Sequence, residues 1–245
     1  MPIVRSNLCI PLSDLKSVND GTSMEVETIS RPSTVFRESC VKCGVFGVQD
    51  GSGYAEFGNT RVLAQIHGPE SDEKWEEAYA RVTVSLNGVD EQKNAEIRPQ
   101  FFSALSAVIF VDKYPGKAID IEITVLSDDG GALAVGLIAG SLALAHSGIE
   151  NMGLMSSVHV AMCADGSFMT DPSHKEMEKH HSKGGITFAF VPNLNQVTCI
   201  DVYGRIPHQS IESLTSFAKE RAISLIPTLH KAILNSVRER NASNC

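Results

Sequence analysis

The chain has 245 residues, enough to bury a hydrophobic core without disulfides or a structural metal, and it fits one large domain or two small ones. Its 42% apolar content is ordinary for a globular protein. Its formal charge of −8 excludes long-range attraction of the whole chain to nucleic acid, so RNA contact requires a local basic patch or a basic partner.

The first residues, "MPIVRSNLCIPLSDLKS", lack a basic stretch followed by a long apolar run, and no later run is long enough to span a bilayer. A soluble, intracellular protein with no membrane partner is expected. Cysteines at positions 9, 40, 43, 163, 199 and 245 are scattered through mostly apolar, strand-like sequence, which predicts reduced core thiols. Residues 1–30 are polar and carry few large apolar groups, so they are expected to form an extended arm able to lie along a partner.

From residue 39 the pattern becomes short strands, "SCVKCGVFGV", "GYAEF" and "RVLAQIHG", divided by "QDGS" and "GNT". Asp50-Gly51 and Gly58-Asn59 suit tight hairpin turns. The acidic run at 69–79, "PESDEKWEEAY", reads as a solvated loop or a docking segment for a partner. A strand at 80–86 puts Val82, Val84 and Leu86 on one face. A helix is predicted over 98–111, with Pro99 in its first turn and Phe102, Leu105, Ser106 and Ile109 at helical spacing.

The strand at 118–126 alternates Ile119, Ile121, Ile123 and Val125 with Asp120, Glu122 and Thr124. It leads through Asp128, Asp129, Gly130 and Gly131 into a helix reaching about His146 that is apolar on most sides. The second half predicts strands at 156–164, "FMTD", 186–192 and 197–202, then a long helix starting after Ser210 that Pro227 should kink or divide. Hairpins outnumber regular crossovers, which indicates α+β class. The domain is expected to span 31–245, with related lobes at about 31–150 and 151–245.

Gly130 and Gly131 before a helix start resemble an anion-binding turn, since the first turn of a helix exposes amide donors. The next residues, Ala132, Leu133, Ala134 and Val135, supply no hydroxyl or cation to offset a phosphate charge. Asp171 ends a strand, where a carboxylate can hold a metal, donate a proton or cap the following turn. Cys40 and Cys43 lack a second pair at matching spacing, and a strand points them to opposite faces. His174, His180 and His181, with Glu176 and Glu178, lie among lysines and read as solvated surface. Neither a metal nor a cofactor is expected.

The segments "QDGSGYAEFGNTRVLAQIHGP", "KYPGKAIDIEITVLSDDGGALAVGLIAGSLALAHSGI" and "DGSFMTDPSHKE" occur in the order seen in the RNase PH family, and the chain resembles it over most of 36–240. The resemblance implies the RNase PH-type fold (ribosomal protein S5 domain 2-like), with two βαβα-like lobes and mixed sheets packed on helices. Active members are phosphate-dependent 3′-to-5′ exoribonucleases that hold phosphate with Thr and Arg directly after the Gly-Gly turn. Here Ala132 and Leu133 stand in those places. Of two catalytic Asp residues six apart, Asp171 matches the first and Met177 takes the place of the second. Glu176 or Glu178 can substitute only after a register shift. "DEQKNAE" (90–96) replaces arginines that bind phosphate or RNA in active members.

Gly130, Gly131 and Asp171 therefore read as remnants of a lost active site. The pattern is similar to that of the non-catalytic RNase PH-like ring subunits of the eukaryotic RNA exosome. That resemblance implies partnership with other RNase PH-like subunits and RNA-binding cap subunits, RNA passing through a ring channel, and work in the nucleus (nucleolus included) and the cytoplasm. The alternative is an active phosphorolytic exoribonuclease. Arg61, Lys93 and Arg98 are the candidate RNA contacts, because active relatives carry basic side chains in comparable regions. The isolated chain is able, on this reading, to associate with itself.

Overall fold

The alternation of Ile119, Ile121, Ile123 and Val125 builds an interior strand of the first sheet, β5 (Lys117–Ser127), with all four side chains buried. The computed structural model describes residues 31–46, 51–72, 74–75 and 77–243; the arm expected at 1–30, the 47–50 connection, Cys9 and Cys245 lie outside the described residues. Strands β1 (Ser39–Cys43), β2 (Gly51–Phe57) and β3 (Thr60–Ser71) form an antiparallel meander. β5 pairs antiparallel to β3 and parallel to β4 (Arg81–Asn87), giving the order β1-β2-β3-β5-β4. The two parallel neighbours are joined through α1 (Glu91–Ser106), the kind of crossover that parallel pairing demands. Gly58, at φ 58°, turns β2 into β3 and sets Phe57 opposite Thr60.

The first helix differs from the expected 98–111: it begins at Glu91 and ends at Ser106. Asp90 starts it early by accepting a 2.7 Å hydrogen bond from the Lys93 backbone N–H, an N-cap that the polar run 90–96 conceals when only apolar spacing is considered. Pro99 is consequently inside the helix, and the buried face is Phe101, Ala104 and Leu105, while Phe102 is 46% exposed.

Helix α2 (Ala132–Ser147) is buried at every residue from Ala132 to Leu144. It packs on β2 and β3 of the first sheet and on β6 (Ser156–Met162) and β8 (Gly184–Val191) of the second. Such central placement needs small residues. A Cβ on Gly136 would stand 2.5 Å from Phe101 Cζ, and one on Gly53 would stand 2.2 Å from the Ala139 carbonyl.

The second sheet runs β7-β6-β8-β9, all antiparallel, with β7 at Phe168–Thr170 and β9 at Gln196–Gly204. Between β7 and β8 the polar stretch forms the short helix α3 (His174–Lys179), closed by a reciprocal capping box between Ser173 and Glu176. β6 and β8 are buried along their whole length. Helix α4 (His208–Ser243) covers one face of them with Leu214, Ala218 and Ala222. It starts two residues before Ser210, and Pro227 does not divide it: the helix runs on through Leu225 and Leu229, both packed into the main core. The described residues from Ser33 onward thus form one compact unit containing both sheets.

Candidate functional site

β5 delivers the chain into the turn Asp128-Asp129-Gly130-Gly131, where Gly130 (φ 98°) and Gly131 (φ 75°) take left-handed conformations that only glycine adopts cheaply. A Cβ on Gly131 would sit 3.2 Å from His159 Cβ. Several of the turn's polar groups are matched within the chain, although Gly131 gives the helix no side-chain cap. Asp128 Oδ1 accepts from the Gly130 N–H at 3.0 Å. Thr60 Oγ1 accepts from the Asp129 N–H at 3.0 Å and donates to the Gly130 carbonyl at 2.8 Å. Asn59 Nδ2 donates to the Asp129 carboxylate at 3.2 Å. Beyond the turn, Ala132 and Leu133 are 4% and 5% exposed, so the start of α2 faces the protein interior.

A cation does occupy this site, but it comes from the chain itself. Arg37 Nε donates to Asp171 Oδ2 at 2.9 Å and its Nη2 to Oδ1 at 2.5 Å, a bidentate fork between side chains 8% and 5% exposed. The same guanidinium donates through Nη1 to the Asp129 carbonyl and through Nη2 to the Gly130 carbonyl, each at 3.0 Å, and its Nη1 lies 3.4 Å from Thr60 Oγ1. The Arg37 backbone N–H adds a bond to Asp171 Oδ2 at 3.2 Å. Asp171 itself has φ 48°, and its N–H donates to the His159 carbonyl at 2.7 Å. One arginine therefore ties the Gly-Gly turn to the end of β7, and both carboxylate oxygens of Asp171 face it.

The wall beside this pair is β6. His159 Nδ1 lies 3.2 Å from Thr187 Oγ1 and Nε2 lies 3.3 Å from Tyr203 Oη, with the two rings stacked at 5.4 Å. Burial, and then the positive charge of Arg37, push the imidazole down to about 4, so it is neutral at physiological pH. Tyr203 Oη also reaches Met177 Sδ at 3.4 Å, and Met177 Cε stands 3.5 Å from where a Gly130 Cβ would be. The cavity lined by Phe36, Ala134, Val135, His159 and Asp171 holds about 10 Å³, roughly the space one water needs. That cavity is smaller than a phosphate, and no residue of the Asp128–Leu133 turn lines it.

Arg61 and Lys93 lie at the turn's end of the first sheet: Arg61 is the register partner of Ser127, and Lys93 forms an ion pair with Asp128. Arg61 is matched by Glu56 at 2.8 Å, and Arg98 is exposed farther along α1. Cys40 and Cys43 pair with Glu56 and Gly53 across β1 and β2 and point to opposite faces. His174, His180 and His181 are spread over both ends of α3, and Glu176 is engaged as the partner of Ser173. No three His, Cys, Asp or Glu side chains converge among the described residues. The residues of the site that sequence reading did not single out are Thr60, Arg37 and His159, although the "GNT" turn and the single histidine inside the otherwise apolar "SSVHVAM" were visible signals.

Residues 35–150 match the profile of the RNase PH family, described as the 3′ exoribonuclease family, domain 1. The chain is 29% identical to the exosome complex component Rrp41 of Methanopyrus kandleri over 198 residues, covering 74% of this chain and 80% of that protein. It is 27% identical to the exosome complex component MTR3 of Mus musculus over 247 residues, covering 87% and 88%. Among solved structures, rice (Oryza sativa) Rrp46 superposes with a TM-score of 0.75 at 19% identity, covering 83% of this chain and 98% of that one.

Proposed function

We propose that the chain, which matches the RNase PH family over residues 35–150 and is similar to exosome core subunits over most of its length, serves as a non-catalytic member of an exosome ring, supporting 3′-to-5′ RNA processing and degradation by a nuclease elsewhere in the assembly. The observation that carries this reading is the Arg37–Asp171 fork. The carboxylate placed where active relatives keep a catalytic Asp is held by an internal cation, and that cation is spent on the carbonyls of the Gly-Gly turn. Phosphorolysis needs positive charge and hydroxyl donors directed at inorganic phosphate, and the buried hydrocarbon side chains of Ala132 and Leu133 offer neither.

The ring place we assign is the one held by the subunit often called the mRNA transport regulator, which "TFAFVPNLNQV" and "LIPTLHKAILNSVRER" resemble. Other RNase PH-like subunits, RNA-binding cap subunits and RNA in the channel are its partners on this reading, in nucleus and cytoplasm. Arg98, exposed and on the same helix as Lys93, is the strongest of the three candidate RNA contacts, since Arg61 and Lys93 already face carboxylates.

Incubating the purified protein with end-labelled single-stranded RNA and inorganic phosphate tests the proposal. No nucleoside diphosphate above the protein-free control is expected. Phosphate-dependent release that Asp171→Ala abolishes would establish the alternative, an active phosphorolytic exoribonuclease.

A further inference from the structure

The described residues of the acidic run at 69–79 form a tethered wall. The Asp72 N–H donates to the Gly116 carbonyl at 3.1 Å, the Gly116 N–H to the Glu77 carbonyl at 3.2 Å and the Ala80 N–H to the Val111 carbonyl at 2.9 Å. Trp75 Nε1 donates to the Tyr79 carbonyl at 2.8 Å, and the two rings meet edge to face at 5.7 Å. Phe102 of α1, which the register of that helix leaves 46% exposed, lines the same open cavity as Trp75 and Tyr79, with Ala80, Val82 and Val111 completing its apolar lining. Its volume of about 360 Å³ is within the range of small-ligand sites.

A second cavity, of about 450 Å³, shares Trp75 and Arg81 with the first and is lined by Glu70, Asp72 and Asp120. Arg81 is the one cation lining the aromatic cavity among the described residues, and Asp72 holds it at 2.8 Å. The run 69–79 itself carries five acids and one lysine. An aromatic slot therefore adjoins an acidic one across a single indole. Charge selects among occupants: RNA phosphates would meet Glu70, Asp72 and Asp120, and a second copy would bring its formal charge of −8 to the same acids. The chain's own residues 1–30 hold four acids and two basic residues, so they are disfavoured for the same reason.

We propose that this paired groove docks a short linear segment of a partner protein. A Phe or Leu side chain fills the aromatic cavity, and a Lys or Arg two positions away, about 7 Å along an extended chain, lies over Trp75 against Glu70 and Asp120. Such docking is independent of the ring reading.

Trp75 is the only tryptophan of the chain, so its emission reports on the groove directly. The full-length protein is titrated with the acetylated, amidated heptapeptide Gly-Lys-Gly-Phe-Gly-Lys-Gly, with the same peptide carrying Glu for each Lys, and with one carrying Ala for Phe. The first gives a saturable shift in emission with a Kd below about 1 mM, and each control binds at least about tenfold more weakly. Phe102→Ser and Glu70→Lys each raise that Kd by about tenfold or more. Both side chains are exposed, so both variants keep the parent melting transition. No saturable shift below about 1 mM, equal binding of the Glu peptide, or an unchanged isotherm for Phe102→Ser would each overturn the proposal. A stronger response to a uridine octamer would overturn it in favour of single-stranded RNA, and emission that changes with protein concentration alone would do so in favour of a second copy.

Discussion

Asp171→Ala tests most directly how Arg37 is held. The substitution removes two charge-assisted acceptors from a guanidinium that is 8% exposed, leaving a buried cation with only the neutral oxygens of Asp129, Gly130 and Thr60. Stripping one partner from a buried ion pair costs about 3–5 kcal/mol, most of it the penalty of the stranded charge. With a urea dependence of about 2 kcal/mol per molar, the unfolding midpoint should fall by roughly 2 M. Equilibrium urea denaturation followed by circular dichroism reads this shift. The double replacement Arg37→Met with Asp171→Asn removes the stranded charge and keeps a residue suited to φ 48° at position 171, so it should recover part of the loss, the remainder being the donors that the Asp129 and Gly130 carbonyls lose with Arg37. A loss below about 1 kcal/mol for Asp171→Ala would refute the reasoning, since it would mean that water reaches the pair and that the carboxylate is free for chemistry.

Two further outcomes follow from the site and the core. His159 has a folded pKa of about 4, depressed from an ordinary 6.5, so the unfolded chain takes up the proton first; its contribution is full above pH 6.5 and is lost as pH falls to 4, about 3 kcal/mol in all. His159→Gln should flatten stability against pH over that interval relative to the parent protein, and an identical pH profile would mean that the imidazole is solvated. Gly136→Ala puts a methyl 2.5 Å from Phe101 Cζ at the crossing of α1 and α2, and should cost about 1–3 kcal/mol in thermal or urea unfolding despite Ala's higher helix propensity. A neutral or stabilising result would show that Phe101 has room to move.

Local periodicity made part of the architecture legible. The strict alternation through β5 and the uninterrupted apolar character of α2 predict their burial, because each pattern suits only one kind of environment. The start of α1 was hidden, since Asp90 acts through one side-chain bond at the end of a polar stretch with no apolar period. Phe102 fell on the exposed face for the same reason: moving the start of a helix changes no spacing, and the true stripe of Phe101, Ala104 and Leu105 was equally compatible with it. At the site, the missing cation and hydroxyl after Gly131 could be seen directly. Arg37 could not, because it meets Asp171 across 134 positions of sequence and stands in a segment with no pattern of its own.

The tethered Gly-Gly turn also bears on whether such a site can regain an activity once lost. Writing Thr and Arg into positions 132 and 133 would place a hydroxyl and a charged side chain where 4% and 5% exposure leaves no solvent to receive them. The guanidinium already seated on the two carbonyls would repel the newcomer. On the proposed non-catalytic reading, an active phosphate site could be rebuilt here only by exchanging Arg37 together with Ala132 and Leu133.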